Sequence, residues 1–323
     1  MKPAENNPLL IPPGIEPAPE STARPLWSVM IPTFNCASYL RQTLESVLTQ
    51  DRGPEQMQIE VVDDCSTKDD PEAVVRRIGQ GRVAFFRKPK NEGAIANFNT
   101  CIRRSRGRLV HILHGDDWVL PGFYQRVTAV AEQNPDVALI ASRSFFVDEE
   151  NVIRAVTERL RELEHGAKAV GSFFYQTPIQ APGIVVRRSF YEKHGGFLPA
   201  LIHTADCEMW ARAIGLGGGL VMPDVLASYR EFAANDSGRL ARTGENLKDF
   251  ERLNCLFAKR YPDFDPRRAS DRVCSVAYAQ AVRFAGRGES EAAETNLNYW
   301  KNNARLPQRL RKATGKVLRS MFA

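Results

Sequence analysis

From residue 26 onward the chain alternates two hydrophobic rhythms. Residues 26–31, 59–62, 83–86, 109–113 and 137–141 are short apolar runs bounded by proline, glycine, asparagine or aspartate, the pattern of buried strands. Between them the spacing lengthens to three and four. Leu40, Leu44, Val47 and Leu48 line one helix face behind a cap at Asn35 or Ser38, and Pro71 opens a helix carrying Val74, Val75 and Ile78. Residues 91–105 read as a loop and helix, and Pro121 starts another helix. Strands alternating with helices of this length predict βαβ units, hence a Rossmann-like α/β fold with a mixed, mainly parallel sheet flanked by helices.

The pattern loosens over 142–235, where 183–186 and 225–232 are strand candidates and 205–214 is a helix ending in a glycine-rich turn. After residue 240 it becomes helical. Leu247, Phe250, Leu253 and Phe257 form a stripe, and 277–285 with 289–300 predict a hairpin around Gly286-Arg287-Gly288. Three parts follow: a proline-rich leader, 1–25, expected to stay unfolded; an α/β domain, 26–238; and a C-terminal helical extension, 239–323. The last stretch, 301–323, has basic residues and no acid, with Leu306, Leu310, Val317, Leu318, Met321 and Phe322 able to share one face. Such a segment suits peripheral contact with an anionic membrane as well as packing on the domain.

Charge and cysteine content narrow the setting. A formal net charge of +6 favours anionic partners. The six cysteines form no CxxC pair and no zinc-finger spacing, which suits reduced thiols in the cytoplasm. Neither a signal peptide nor an apolar run of membrane-spanning length is present, so a cytoplasmic protein, or one held at the inner face of the membrane, is expected. Basic residues do not interleave with aromatics, so nucleic acid is not an expected partner.

Carboxylates carry the candidate chemistry. Asp63-Asp64 follows the second strand, Asp116-Asp117 the fourth, and Asp206 opens the 205–214 helix. In open α/β sheets the carboxyl ends of the strands converge on one crevice. Neither GxGxxG nor GxxxxGK[ST] occurs, so bound phosphates would be held by a metal or by side chains.

The segments Ser28-Val-Met-Ile-Pro-Thr-Phe-Asn35, Glu60-Val-Val-Asp-Asp-Cys-Ser66, Asn91-Glu-Gly93, Leu113-His-Gly-Asp-Asp-Trp118, Gly195-Gly-Phe197 and Ala205-Asp-Cys-Glu-Met-Trp-Ala-Arg212 occur in that order. Together they resemble family 2 glycosyltransferases across roughly residues 26–232. The resemblance implies a GT-A fold, a nucleotide-sugar donor (a UDP-sugar first), Mg²⁺ or Mn²⁺, and inversion at the anomeric carbon. It places nucleotide contacts at Pro32, Thr33, Phe34, Asn35, Asp64, Asn91, Gly93 and Asp116, with Asp64 accepting from the base and Asp116 at the ribose. It assigns the metal to Asp117 and the catalytic base to Asp206. Asp63 is left a structural part.

His114 stands where the commonest form of the family has the first aspartate of its Asp-x-Asp motif. Glu231-Phe232 replaces a histidine that often supplies a further ligand. His114, Glu208, Trp210 and Arg230 are therefore secondary or acceptor-side candidates, with Glu208 the alternative base and an N-cap the alternative role for Asp206. The expected activity is hexosyl or N-acetylhexosaminyl transfer to a glycan or lipid-linked acceptor, as in polysaccharide biosynthesis. The competing expectation is a catalytically weak module of the same fold that binds a nucleotide sugar or glycan.

Overall fold

The computed structural model describes residues 11–18, 24–159, 170–171, 179–232 and 235–305. Its compact units divide between Phe232 and Ala233.

The first unit is built on one mixed sheet. Strand β1 (Trp27–Thr33) lies between β2 (Met57–Asp63) and β4 (Leu109–Ile112), parallel to both, and β2 continues in parallel to β3 (Ala84–Arg87). Every residue of β1 and β2 is buried, so their apolar side chains face helices on both sides. Helices α1 (Ala37–Leu48), α2 (Pro71–Gly79) and α3 (Ala94–Arg104) make the crossovers. Leu40, Leu44 and Val47 of α1 join the core around Trp27, Val29 and Ile31, as their spacing predicts. Asp70 caps α2 by accepting from the Ala73 N–H, with Pro71 at the first helical position.

The sheet then changes direction. Strand β6 (Leu139–Val147), after the short β5 (Trp118–Val119) and α4 (Phe123–Gln133), joins through β8 (Ile184–Arg187), which runs antiparallel to both β4 and β6. Strand β7 (Ile153–Val156) folds back on β6, and the long β9 (Gly219–Arg230) runs parallel to β6 and antiparallel to β5. The strand order is β3-β2-β1-β4-β8-β6-β9-β5, with β7 beside β6. The parallel half is the half with regular strand–helix alternation in the sequence. Helices α5 (Arg188–His194) and α6 (Ala205–Gly217) lie between β8 and β9 in the chain.

The leader was expected to stay outside the fold, and over residues 11–18 that expectation fails. Ile15 is buried, Pro13 O accepts from Gly196 N–H (2.9 Å), and Glu16 O accepts from the Arg188 guanidinium (3.0 Å). Gly196 is required there, because a side chain would land on Asn99 Oδ1. The segment is held largely through its backbone carbonyls, which leave no trace in a hydrophobic pattern.

The second unit contains α7 (Asp236–Thr243), α8 (Glu245–Arg260), α9 (Pro266–Gly286) and α10 (Ser290–Asn303). Leu247, Leu253 and Phe257 are buried, and α9 and α10 meet around Gly286–Gly288 as the pattern indicates. Arg242 pairs with Glu289 (2.6 Å), and the buried Asn296 amide donates to Ala241 O (2.9 Å). No helix among the described residues is long and apolar enough to cross a membrane. The proposed membrane-contact segment lies, from residue 306 on, outside the described residues.

Candidate active site

The crevice forms at the carboxyl ends of β1, β2 and β4. Register pairs Thr33 with Asp63, while Gly115 N–H donates to Pro32 O (3.1 Å), so the loop after β4 lies against the end of β1. Gly115 permits this approach: a Cβ there would come within 2.9 Å of both Thr33 Oγ1 and Cys36 Sγ. From α1, the Thr43 hydroxyl reaches Gly115 O (3.0 Å) and Asp117 O (2.7 Å) and fixes the turn that carries the second aspartate pair.

The first pair is fully engaged by its own chain. Asp63 accepts from Arg87 Nε (2.6 Å) and from Ser66 N (3.2 Å). Asp64, 2% exposed, accepts from the buried Lys88 ammonium (2.6 Å), Glu92 N–H (3.1 Å) and Gly93 N–H (2.8 Å). The carboxylate that the resemblance gives to the nucleotide base is thus held by the chain itself. Its lone pairs hold the loop between β3 and α3, and Lys88 is further bridged to Glu92 (2.8 Å). Gly93 serves that clasp with a φ of 87°, and Asn91 lies exposed beside it.

Asn35 also has a local task. Its side-chain oxygen accepts from Thr67 N–H (2.9 Å) and Lys68 N–H (3.0 Å), and its own N–H donates to Ser66 Oγ (2.8 Å). Pro32 and Thr33 are buried at the crevice floor. Phe34 is 45% exposed at the end of β1, an apolar ring left facing solvent.

The second pair is the reverse of the first. Asp117 is 1% exposed; one oxygen accepts from Arg230 N–H (2.8 Å), and the other is buried without a hydrogen-bond partner. Burial, then the Asp116 charge, pushes the Asp117 carboxyl well above the usual carboxylate range. Burial also raises Asp116, against the opposing pull of His114 and Arg230. His114 Nδ1 lies 3.8 Å from Asp117 Oδ2, and His114, Asp116 and Asp117 each offer a donor atom within 4.8 Å of the others. Three donors around an unsatisfied buried oxygen fit a divalent cation. His114, read from sequence as secondary, therefore stands in the centre of the cluster, its ring stacked on Phe98 (4.9 Å, 11°).

Arg230, by sequence a secondary or acceptor-side candidate, is turned into the protein. It is 2% exposed, and its guanidinium donates to Asp116 O (3.0 Å), Asp148 O (3.2 Å), Glu149 O (3.2 Å) and Gln42 Oε1 (2.7 Å). Tyr39 and Trp118 cover it at 4.5 and 4.8 Å. It braces the loop that carries the aspartates.

Asp206 lies within the first turn of α6, with Thr204 at the cap position, so the N-cap alternative is set aside. Its Oδ1 accepts from Cys207 N–H (2.7 Å). Burial raises the Asp206 carboxyl, opposed by His203 and His114, and Asp206 in turn acts electrostatically on His114. Asp206 is therefore within electrostatic reach of His114, beside the second pair in sequence.

Glu208 is wholly buried and grips Arg212 with both oxygens (2.9 and 3.0 Å). Arg212 also donates to His194 O (2.6 Å) and Gly196 O (2.8 Å), so the Gly-Gly-Phe loop is clamped by this ion pair. Trp210 is 5% exposed and part of the core.

Sequence reasoning missed Phe98, Lys88, Thr43 and Gln42. They lie on α1, on α3 and just after β3, with no mark in the local pattern. Phe98 is itself held by Phe197 (5.5 Å), whose backbone is pinned at both ends by the Asn99 amide (2.8 and 2.9 Å).

Comparison with known proteins places this geometry. Residues 28–195 match the family described as glycosyl transferase family 2. An uncharacterized protein of Mycobacterium tuberculosis is 30% identical over 243 residues, which is 72% of this chain and 75% of that protein. The mannosyltransferase PcManGT of Pyrobaculum calidifontis, solved with GDP-Man and Mn²⁺, superposes with a TM-score of 0.56 at 19% identity, covering 95% of this chain and 83% of its own. S. aureus TarS in complex with UDP-GlcNAc gives a TM-score of 0.59 at 14% identity, over 88% of this chain and 77% of its own. At these identities the two solved structures speak for a shared GT-A fold.

Proposed function

We propose that this chain, which belongs to glycosyl transferase family 2, moves a sugar with inversion from a nucleoside diphosphate, UDP in the first instance, to a hydroxyl of a glycan or lipid-linked acceptor. The observation that carries the reading is the cluster of His114, Asp116 and Asp117, with Asp206 in electrostatic reach of His114. These carboxylates are raised by burial, and the buried Asp117 oxygen lacks a partner. Such groups are costly to the fold and are kept where chemistry uses them.

Asp117, with Asp116, would hold Mg²⁺ or Mn²⁺, which supplies charge neutralisation at the diphosphate leaving group. Asp206 takes the acceptor proton as the new bond forms. A hydroxyl becomes acidic only at that point, and a carboxylate raised by burial is the stronger base for it. One displacement with no intermediate on the protein inverts the anomeric centre. The exposed Phe34 ring offers a face for the nucleotide base. Arg230 keeps the pair in place, its guanidinium donating to Asp116 O and its backbone N–H to the Asp117 carboxylate.

A thermal-shift panel of nucleotide sugars, with and without Mn²⁺, tests the reading, followed by NMR of the product anomer. One donor is expected to raise Tm by mass action, and more so with metal. No stabilisation by any nucleotide or nucleotide sugar, or a product that retains configuration, refutes it.

A further inference from the structure

We infer that His114 is a nitrogen ligand in the cation site, and that it makes the site select a first-row transition ion such as Co²⁺ or Mn²⁺ over Mg²⁺. This rests on the metal-assisted reading above and goes beyond it, because it assigns the ligand set and the ion it prefers.

Three observations carry it. The first is spacing: His114 Nδ1 stands 3.8 Å from Asp117 Oδ2, and donor atoms of His114, Asp116 and Asp117 lie within 4.8 Å of one another. Two donors on one octahedral ion with bonds of about 2.1 Å are roughly 3.0–4.2 Å apart, so a small closing motion seats all three. The second is an open valence. Asp117 Oδ2 is buried with no hydrogen-bond partner, and it is the oxygen facing the imidazole. The third is orientation. The His114 ring is stacked on Phe98, Phe98 packs edge-on to Phe197, and Asn99 pins Phe197 through its backbone. A ring held on one face cannot swing freely out of the cluster.

Selectivity follows from ligand chemistry. Mg²⁺ is a hard ion that keeps its waters and takes oxygen, and it responds most to ligand charge. A neutral imidazole in place of a third carboxylate removes one negative charge and adds a softer nitrogen. Affinity for nitrogen rises along the first-row series, so exchange of oxygen for nitrogen costs Mg²⁺ more than it costs Co²⁺ or Mn²⁺.

The test is equilibrium binding by the full chain, with metal alone as probe. Co²⁺ is followed by its visible absorption and Mg²⁺ by competition against it, for the wild type, His114→Asp and Asp117→Asn. The wild type is expected to prefer Co²⁺, and His114→Asp to lower that preference about tenfold by restoring an all-oxygen set. Mn²⁺ in trace amounts is expected to broaden one ¹⁵N-imidazole signal of the wild type, the signal absent from His114→Gln.

An unchanged Co²⁺/Mg²⁺ ratio in His114→Asp, with binding still lost in Asp117→Asn, overturns the nitrogen ligand and leaves the metal-assisted reading intact. Failure of the wild type to bind either ion overturns both. Nucleotide-sugar stabilisation in the donor panel would still stand apart from that result.

Discussion

Two aspartate pairs follow the two strands that flank β1 in one sheet, and they meet opposite fates. Asp63-Asp64 ends β2 and is met by Arg87 and Lys88 from β3 and the loop after it. Asp116-Asp117 follows β4 and is met by a backbone N–H, an imidazole and an arginine turned mainly to carbonyl groups. In the first pair the charges are compensated by the chain. In the second, burial wins over the available partners and raises both carboxyls. The lesson is that sequence context marks a carboxylate as interesting, and only its partners distinguish a brace from a site.

The largest expected effect breaks the comparison at its functional end. Asp206→Asn should lower the turnover number about a thousandfold, the scale of a lost general base, while donor-induced stabilisation persists. Transfer at the wild-type rate would remove Asp206 from the base role. Next comes the brace. Asp64→Asn leaves the 3%-exposed Lys88 ammonium with Glu92 alone, and should cost about 3 kcal/mol in urea unfolding. A loss confined to donor affinity, with stability intact, would restore Asp64 as a nucleotide contact.

The third effect concerns pH and the strand beneath the second pair. Burial lowers His111 to about 3, with its ring nitrogens meeting Tyr124 Oη (3.2 Å) and Pro182 O (3.0 Å). The folded chain therefore refuses a proton that the unfolded chain takes near pH 6.5. The contribution is complete above that pH and is lost as pH falls toward 3, by about 2 kcal/mol at pH 5. His111→Gln should flatten this slope in unfolding midpoints measured across pH 7 to 5; an unaltered slope would show that other groups set it.

The smallest effect has the opposite sign from that at Asp64. Asp117→Asn keeps an acceptor for Arg230 N–H and removes a desolvated charge. In EDTA it should raise stability by about 1 kcal/mol. A loss as large as that of Asp64→Asn would make the second pair a brace like the first.

Much of the fold was legible. The five short apolar runs became β1, β2, β3, β4 and β6, and the stripes of α1 and α8 are buried except for the half-buried Leu48 and Phe250. The antiparallel turn of the sheet at β8 was not legible, because periodicity carries no strand direction. Strand β5 is two residues long, too short to register a period. The candidate site was legible as a set of acids. The engagement of Asp64 by Lys88 and of Arg230 by Gln42 was not, since each partner is brought in by another element.

The sequence alone determined the α/β alternation, the convergence of acids at strand ends and the order of motifs that identifies the family. All three are written in local spacing and residue type. Tertiary structure alone decided which acids are satisfied. Register sets Asp63 opposite the Arg87 guanidinium across β2 and β3, whereas β9 offers Asp117 the backbone N–H of Arg230. Compensation of a buried charge is a matter of distances of a few ångströms between groups far apart in the chain, and those distances exist only once the sheet has formed.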